Sequence, residues 1–501
     1  MPKRPAHAFL AALSLASCTM GPNFKPPDNP IPQAKFYTHA APGAAATPVA
    51  DAWWTLFGDA ELTKLEGRVV SANLDVRVAA LHLAEARTQS AIAGAAALPV
   101  VNGNLNVTRE AQSSRGVLAL LGGSSSPAAS SNGAGGTTAG FPTSSSPLAN
   151  PFNLYQFGFD ASWEIDLWGR VKRSVESAEA SALISQEAAR GVLITAQAEL
   201  ARDYMLLRGT QADIALVNRN LADDAQTLGL VRDRFNNGLA TALDVTNQES
   251  QRADTQALLP ALQQQQGQIV NAIAFLLGEA PGTLSTELLS QSAQSPIPPE
   301  VPIGLPSELT RRRPDIRQAE AKLHAATANI GVAVADFYPR FTLSASAALQ
   351  ALQPHYLDEW SARTFGIGPG ITLPIFNGGL LKRTLELRET EQQEAALLYQ
   401  HSVLTALHDV DNALIAYASE QDRQARLIQA LQQTHKALDL ARARYTGGVG
   451  DFLSVLDAER RALAGEQAIA DSRTRILTNL VQLYKALGGG WGDADGLQSR
   501  P

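Results

Sequence analysis

Tyr155-Gln156-Phe157-Gly158-Phe159-Asp160-Ala161-Ser162-Trp163-Glu164-Ile165-Asp166-Leu167-Trp168 changes character at every step. Tyr155, Phe157, Phe159, Ala161, Trp163, Ile165 and Leu167 fall on one side of an extended chain. Gln156, Asp160, Ser162, Glu164 and Asp166 fall on the other. Strict alternation of this kind marks a β-strand with one apolar and one polar face. Three more segments carry it. In Phe341 to Leu349, Phe341, Leu343, Ala345 and Leu349 oppose Thr342, Ser344 and Ser346. In Thr364 to Ile375, Phe365, Ile367, Ile371, Leu373 and Ile375 oppose Gly366, Gly368, Gly370 and Thr372. The weakest is Val101 to Thr108, where Val101, Leu105 and Val107 face away from Asn102, Asn104 and Asn106. The pattern suits a half-buried antiparallel strand of a soluble sheet and a transmembrane barrel strand equally.

The sequence between these strands decides the matter. Leu380 to Thr446 contains neither Gly nor Pro over 67 residues and is dominated by Ala, Leu, Glu, Gln and Arg, all good helix formers. A seven-residue repeat runs through it, with Leu407, Leu414, Gln421 and Ile428 in one series. Val410, Tyr417, Gln424, Leu431, Leu438 and Tyr445 form the other, which is a coiled-coil seam with a polar layer at Gln421 and Gln424. Arg170 to Asn236 is equally long and lacks Pro. Each would reach roughly 100 Å as a helix. Shorter helices are expected at Glu61 to Leu98, Thr241 to Leu277, Ser307 to Tyr338 and Asp451 to Leu487.

The chain repeats itself. Leu74-Asp75-Val76-Arg77 corresponds to Pro314-Asp315-Ile316-Arg317, and Arg234-Phe235-Asn236-Asn237-Gly238 to Arg444-Tyr445-Thr446-Gly447-Gly448. The offset falls from 240 before the strands to 210 after them, because Gly122 to Pro147, almost all Gly, Ser, Ala, Thr and Pro, is inserted in the first copy. That composition reads as a long exposed loop. The organisation expected is a segment 18–60, a first repeat 61–280 with hairpin 100–168, and a Pro- and Ser-rich linker 281–306. A second repeat 307–488 with hairpin 341–376 and a tail 489–501 follow.

The N-terminus supplies the compartment. Lys3 and Arg4 precede a small apolar run that ends in Leu15-Ala16-Ser17-Cys18, an export signal with a lipobox. Residues 1–17 would be removed and Cys18, the sole cysteine, would carry covalent lipid. Thr19 in place of Asp at the next position points to the outer membrane. Four strands cannot close a barrel, for which about eight are needed. An open sheet in lipid would leave backbone groups unpaired, so the strands must complete a barrel with copies of the same chain. Two, three or four copies satisfy that arithmetic.

Other function classes find little support. Net charge is −7 and no basic stripe for nucleic acid is present. There is no phosphate-binding Gly-x-x-x-x-Gly-Lys loop, no His-Glu-x-x-His and no Gly-x-Ser-x-Gly elbow, so no enzyme is expected. The eight histidines are scattered, and His401, His408 and His435 read as surface or seam residues, so neither a metal nor a cofactor other than the lipid is expected.

Each long helix meets its return helix in a glycine turn: Asn237-Gly238-Leu239-Ala240-Thr241 and Gly447-Gly448-Val449-Gly450-Asp451. With these tips the sequence resembles the TolC-like outer-membrane factors, and among them the lipidated NodT/OprM-type efflux proteins. The resemblance covers nearly the whole mature chain. It is carried by Trp53-Trp54 with Phe57-Gly58-Asp59 and by Arg312-Arg313-Pro314-Asp315-Ile316 after Gly304-Leu305-Pro306-Ser307. Ile330-Gly331-Val332 before Tyr338-Pro339, Phe376-Asn377-Gly378-Gly379 and the two tips complete it. The resemblance implies a mainly α protein whose four strands enter a shared twelve-stranded barrel, with long helices in a coiled α-barrel and an equatorial belt. It implies a homotrimer in outer-membrane lipid. A periplasmic adaptor would dock at Asn237, Gly238, Leu239, Gly447, Gly448 and Val449, and an inner-membrane pump of the RND type would drive transport. The function implied is a passive duct for small toxic molecules, with type I protein secretion or metal-ion efflux as alternatives. It also implies a closed mouth of acidic and apolar rings, for which Asp244, Asp451, Leu453 and Asp457 fit. A plain helix N-cap is the competing reading of Asp451.

Overall fold

The computed structural model describes residues 19–27, 44–45, 50–111, 151–290, 294–299, 301–303 and 309–489. The signal segment, Cys18 and the Gly/Ser-rich loop lie outside them. The chain divides into two compact units, one built on residues 91–175 and 329–386 and the other on 23–90, 176–328 and the residues from 387 on.

The first unit is organised by one antiparallel sheet of β1 (Val100–Glu110), β2 (Phe152–Ile165), β3 (Arg340–Ala351) and β4 (Arg363–Thr372), adjacent in that order. The two hairpins join through β2 and β3, where Phe157 faces Leu349 and Ser162 faces Ser344. The register puts every apolar set on one face. Leu105, Phe157 and Leu349 share a row, as do Ala161, Ala345 and Ile367. Asn104 and Asp160 bond side chain to side chain on the other face. The apolar face is uncovered, with Phe365 87% and Ile367 77% exposed. Among the described residues the outer edges of β1 and β4 have no strand partner.

Two strand ends differ from expectation. β2 begins at Phe152 and stops at Ile165, before Trp168. Leu167 N–H turns back to the Ile165 carbonyl at 2.9 Å, and the Asp166 carboxylate accepts from Lys172 N–H at 2.8 Å, so these residues start the next helix. β4 ends at Thr372, two residues before Pro374. Trp168 instead stacks on Tyr338 at 4.9 Å and donates its indole N–H to the Pro339 carbonyl at 2.8 Å.

The second unit is helical: α1 (Ala60–Ala72), α2 (Leu74–Ala95), α3 (Arg170–Asn236), α4 (Ala242–Leu276), α5 (Pro314–Ala335), α6 (Leu380–Thr446) and α7 (Phe452–Ala486). Parts of α2, α3, α5 and α6 belong to the first unit. α3 and α6 are 67 residues each. The helix expected from Glu61 to Leu98 is two, because Asn73 is extended (φ −62°, ψ 127°). Its Oδ1 accepts from Val76 N–H at 3.0 Å and its Nδ2 donates to the Leu276 carbonyl at 2.8 Å, so one side chain caps α2 and ties it to α4. The helix expected from Ser307 is likewise interrupted ahead of Pro314, since the residue before proline avoids helical geometry. Arg313 there bonds Asp315 at 2.7 Å, Asp409 at 3.0 Å and the Ala486 carbonyl at 3.0 Å, drawing α5, α6 and the end of α7 together. In the seam of α6, Val410, Leu414 and Tyr417 are buried. Ile428 is 42% exposed and drops out of the seam.

The core gathers Trp53, Phe57, Leu62, Leu65, Tyr204, Ile476, Leu480 and Tyr484. Glu66 of α1 lies within this unit at 0% exposure, and neither carboxylate oxygen has a hydrogen-bond partner among the described residues. Burial pushes its pKa well above the usual carboxylate range. The folded chain therefore retains a proton that the unfolded chain releases. Stability from this group is full below the unfolded value and is lost as pH rises from there through the raised folded value. Glu66→Gln should leave the thermal midpoint unchanged near pH 4 and raise it near pH 8, by about 1–3 kcal/mol in stability. A variant less stable than the parent near pH 8 would mean that the carboxylate is ionised and bound.

Candidate functional site

The two helix turns sit side by side at the end of the second unit. α3 ends as Gly238 takes φ +76° and Leu239 N–H bonds the Arg234 carbonyl at 2.8 Å. α6 ends in the same way, with Gly448 at φ +70° and Val449 N–H on the Arg444 carbonyl at 3.1 Å. Both turns need the left-handed backbone that only glycine adopts cheaply. Val231, Tyr445, Phe452, Val455 and Leu456 form a small apolar core beneath them. Arg234 crosses between the repeats, 4.7 Å from the Tyr445 ring centre and donating to the Thr446 carbonyl at 3.2 Å. Leu239, Leu243, Val449 and Leu453 are left exposed on the surface of the tips.

The acids named from sequence are all here, and each has a local task. Asp244 accepts from the backbone N–H and the hydroxyl of Thr241 at 2.8 and 2.9 Å, while Thr241 accepts from Asp244 N–H at 3.3 Å, a reciprocal capping box. Asp244 also faces Tyr445, whose phenol is held above its usual range by burial first and then by that charge. Asp451 caps α7, accepting from Leu453 N–H at 3.0 Å. Asp457 pairs with Arg461 at 2.9 Å, one turn along the exposed face. Asn237 bonds the Asp233 carbonyl at 2.7 Å through its side chain and closes the first turn.

The Arg234 tether and the role of Asp59 escaped sequence reading. Asp59 caps α1 through Glu61 and Leu62 N–H, and its second oxygen accepts from Tyr204 at 2.8 Å and Ser295 at 2.9 Å. The Trp53-to-Asp59 motif is thus a structural node, with Arg208 donating to Tyr204 at 3.0 Å behind it. The signal for Asp59 was present in Gly58-Asp59 ahead of an apolar-periodic run.

No helix among the described residues is long and apolar enough to cross a membrane. The sheet, with one face of bare apolar side chains and two open edges among the described residues, is what fits lipid. A chain that couples such a sheet to long helices ending in paired glycine turns belongs to the outer-membrane channel class. Residues 67–279 and 305–489 match the family described as outer membrane efflux protein. The chain is 32% identical over 495 residues to outer membrane protein OprJ of Pseudomonas aeruginosa, covering 98% of this chain and 96% of that one. It is 33% identical to the pyoverdine export outer membrane protein OpmQ of the same species, over 97% of each chain. Among solved structures, the outer-membrane channel OprN superposes with a TM-score of 0.83 at 31% identity, covering 95% of this chain and all of that one. The protein belongs to the outer membrane efflux protein family and is an efflux channel protein of the outer membrane.

Proposed function

We propose that three copies of this chain form one passive duct that carries small molecules across the outer membrane, with a periplasmic adaptor seated on the tips and an RND-type inner-membrane pump supplying the energy. The observation that carries the assembly is the sheet. Its bare apolar face requires lipid, and its two edges, unpartnered among the described residues, require other strands. Three copies supply twelve strands. Chemical cross-linking of the detergent-solubilised protein followed by mass measurement should give a three-chain species. A species that stops at two or four chains would replace the stoichiometry, and a lone chain would end the shared barrel.

The anchor is Cys18 carrying covalent lipid. Support comes from its neighbourhood: Met20 N–H donates to the Trp168 carbonyl at 3.0 Å, and Arg173 donates to the Met20 carbonyl at 3.2 Å, so the chain two residues on is pinned at the base of a hairpin. The exposed apolar side chains Leu239 and Val449, beside Asn237, Gly238, Gly447 and Gly448, are the docking surface for the adaptor. No cofactor and no catalytic step enters this function.

Asp244, Asp451, Leu453 and Asp457 form the gate, where like charges from neighbouring copies hold cations and water at the mouth. Because Asp451 and Asp244 also cap helices, alanine would confuse gating with unravelling. Asparagine keeps the cap and removes the charge. Asp244→Asn with Asp451→Asn should raise single-channel conductance in a planar bilayer severalfold and weaken its cation preference. Unchanged conductance and selectivity would leave both residues as caps alone.

A further inference from the structure

α3 and α7 join the two repeats, and they run antiparallel in a register read from three contacts. Gly209 lies against Thr474, so close that an added Cβ would be 2.4 Å from the threonine hydroxyl oxygen. Asn220 donates to Glu466 at 3.5 Å, and Thr227 to Glu459 at 3.2 Å. In this register Asp213 faces Asp471, and Asp224 faces Glu459. Acid thus meets acid at two levels of one packed seam.

A cavity of about 160 Å³ opens at the lower level, lined by Asp223, Asp224, His435, Asp439, Arg442, Glu459 and Glu466. The surroundings neutralise it only in part. From α6, Arg442 donates to Glu459 at 2.9 Å and His435 meets Glu466 at 3.1 Å. From α4, Gln248 donates to Asp224 at 3.4 Å, with Thr255 and Arg252 also facing that carboxylate. Asp224 is only 8% exposed, yet its Oδ2 has no hydrogen-bond partner among the described residues. The Oε2 of Glu459 and, at the upper level, the Oδ1 of Asp213 are buried in the same condition. Three orphaned carboxylate oxygens on two facing helices need a donor, and a carboxylic acid supplies its own.

We propose that this seam is a proton-binding site: Asp213, facing Asp471, holds one proton, and the pair of Asp224 with Glu459 holds another, while α3 and α7 are packed, and both are released when the helices part. Electrostatics agrees in sign. Burial, and then the charge of Asp471, push Asp213 up to about 6, and burial raises Asp224 and Glu459 as well. The packed seam therefore binds more protons than the parted one. Its packing is favoured in acid and weakens as pH rises through that range. The helical wall of the duct carries an acid-tightened joint between its two repeats, separate from the acids at the tips.

Backbone hydrogen exchange of residues 459–474 in the full chain, in detergent micelles and corrected for intrinsic rates, tests this. Protection should be about tenfold greater near pH 5 than near pH 7.5 from Asp213 alone. Asp213→Asn, which imitates the protonated acid, should lose most of the parent's pH response and stay well protected near pH 7.5, and Asp224→Asn added to it should remove the rest. Should Asp213→Asn fail to fold, Asp471→Asn relieves the repulsion from the exposed side and should move the response to lower pH. Asp422→Asn, on the exposed face of α6, should behave as the parent. Equal protection at both pH values in the parent, or asparagine variants that keep its full response, would overturn the proposal. So would magnesium chloride restoring protection near pH 7.5, which would make the ligand a metal cation instead of a proton.

Discussion

Ile367→Arg should abolish assembly of the protein in the outer membrane. Ile367 is the middle of β4, pairs with Ala345 and is 77% exposed on the apolar face. An arginine at mid-membrane on the lipid side of a barrel strand costs about 2–4 kcal/mol, and the proposed trimer would bear that cost three times. Ser346→Arg is the control. Ser346 pairs with Gly366 and Asp160 on the polar face of the same sheet. It should assemble as the parent does and alter only conductance and ion selectivity. The two variants add the same charge one pleat apart. Assembled oligomer in outer-membrane fractions, read on a gel run without heating, checks both. Parental levels for Ile367→Arg would mean that the apolar face does not meet lipid.

The reasons why some features were legible in sequence and others were not are physical. The strands announced themselves through a period of two, and the long helices through a lack of Gly and Pro, because both signals are local. The ends failed where one side chain overrides a period. Asp166 continues the alternation of β2, yet its carboxylate already serves Lys172 of the next helix. Asn73 reads as an ordinary polar helix position until Leu276 is brought beside it. The tip acids stand out in the sequence as charges beside glycine turns, but their capping bonds depend on backbone geometry that a list of charges does not contain. Asp224 and Glu459 are farther still from view. They are 235 positions apart and meet only through the antiparallel register of α3 on α7.

Trp53→Ala should be the most destabilising single truncation in the helical unit. Trp53 is 1% exposed, stacks on Tyr484 at 5.3 Å and 20°, and meets Phe57 edge-on at 6.2 Å. The turn that carries it closes with Gly58 N–H on the Thr55 carbonyl and delivers Asp59 to Tyr204 and Ser295. The indole therefore packs the end of α7 against a short segment that also caps α1 and grips α3. Truncation of a buried Trp costs about 3–5 kcal/mol, since the site must either collapse or keep a cavity. Here collapse is opposed by Arg313, which fixes the Ala486 carbonyl at 3.0 Å just beyond Tyr484. The loss should fall at the upper end of that range. Tyr484→Ala should be costly too, and the pair should couple by about 1 kcal/mol, so the double variant loses less than the sum. Trp54→Ala, whose ring is only partly buried beside Trp53, should cost less than half as much. Urea unfolding of the parent and the four variants in one detergent measures all of these. Strict additivity of Trp53 and Tyr484 would mean that the stacked rings contribute only their separate burial.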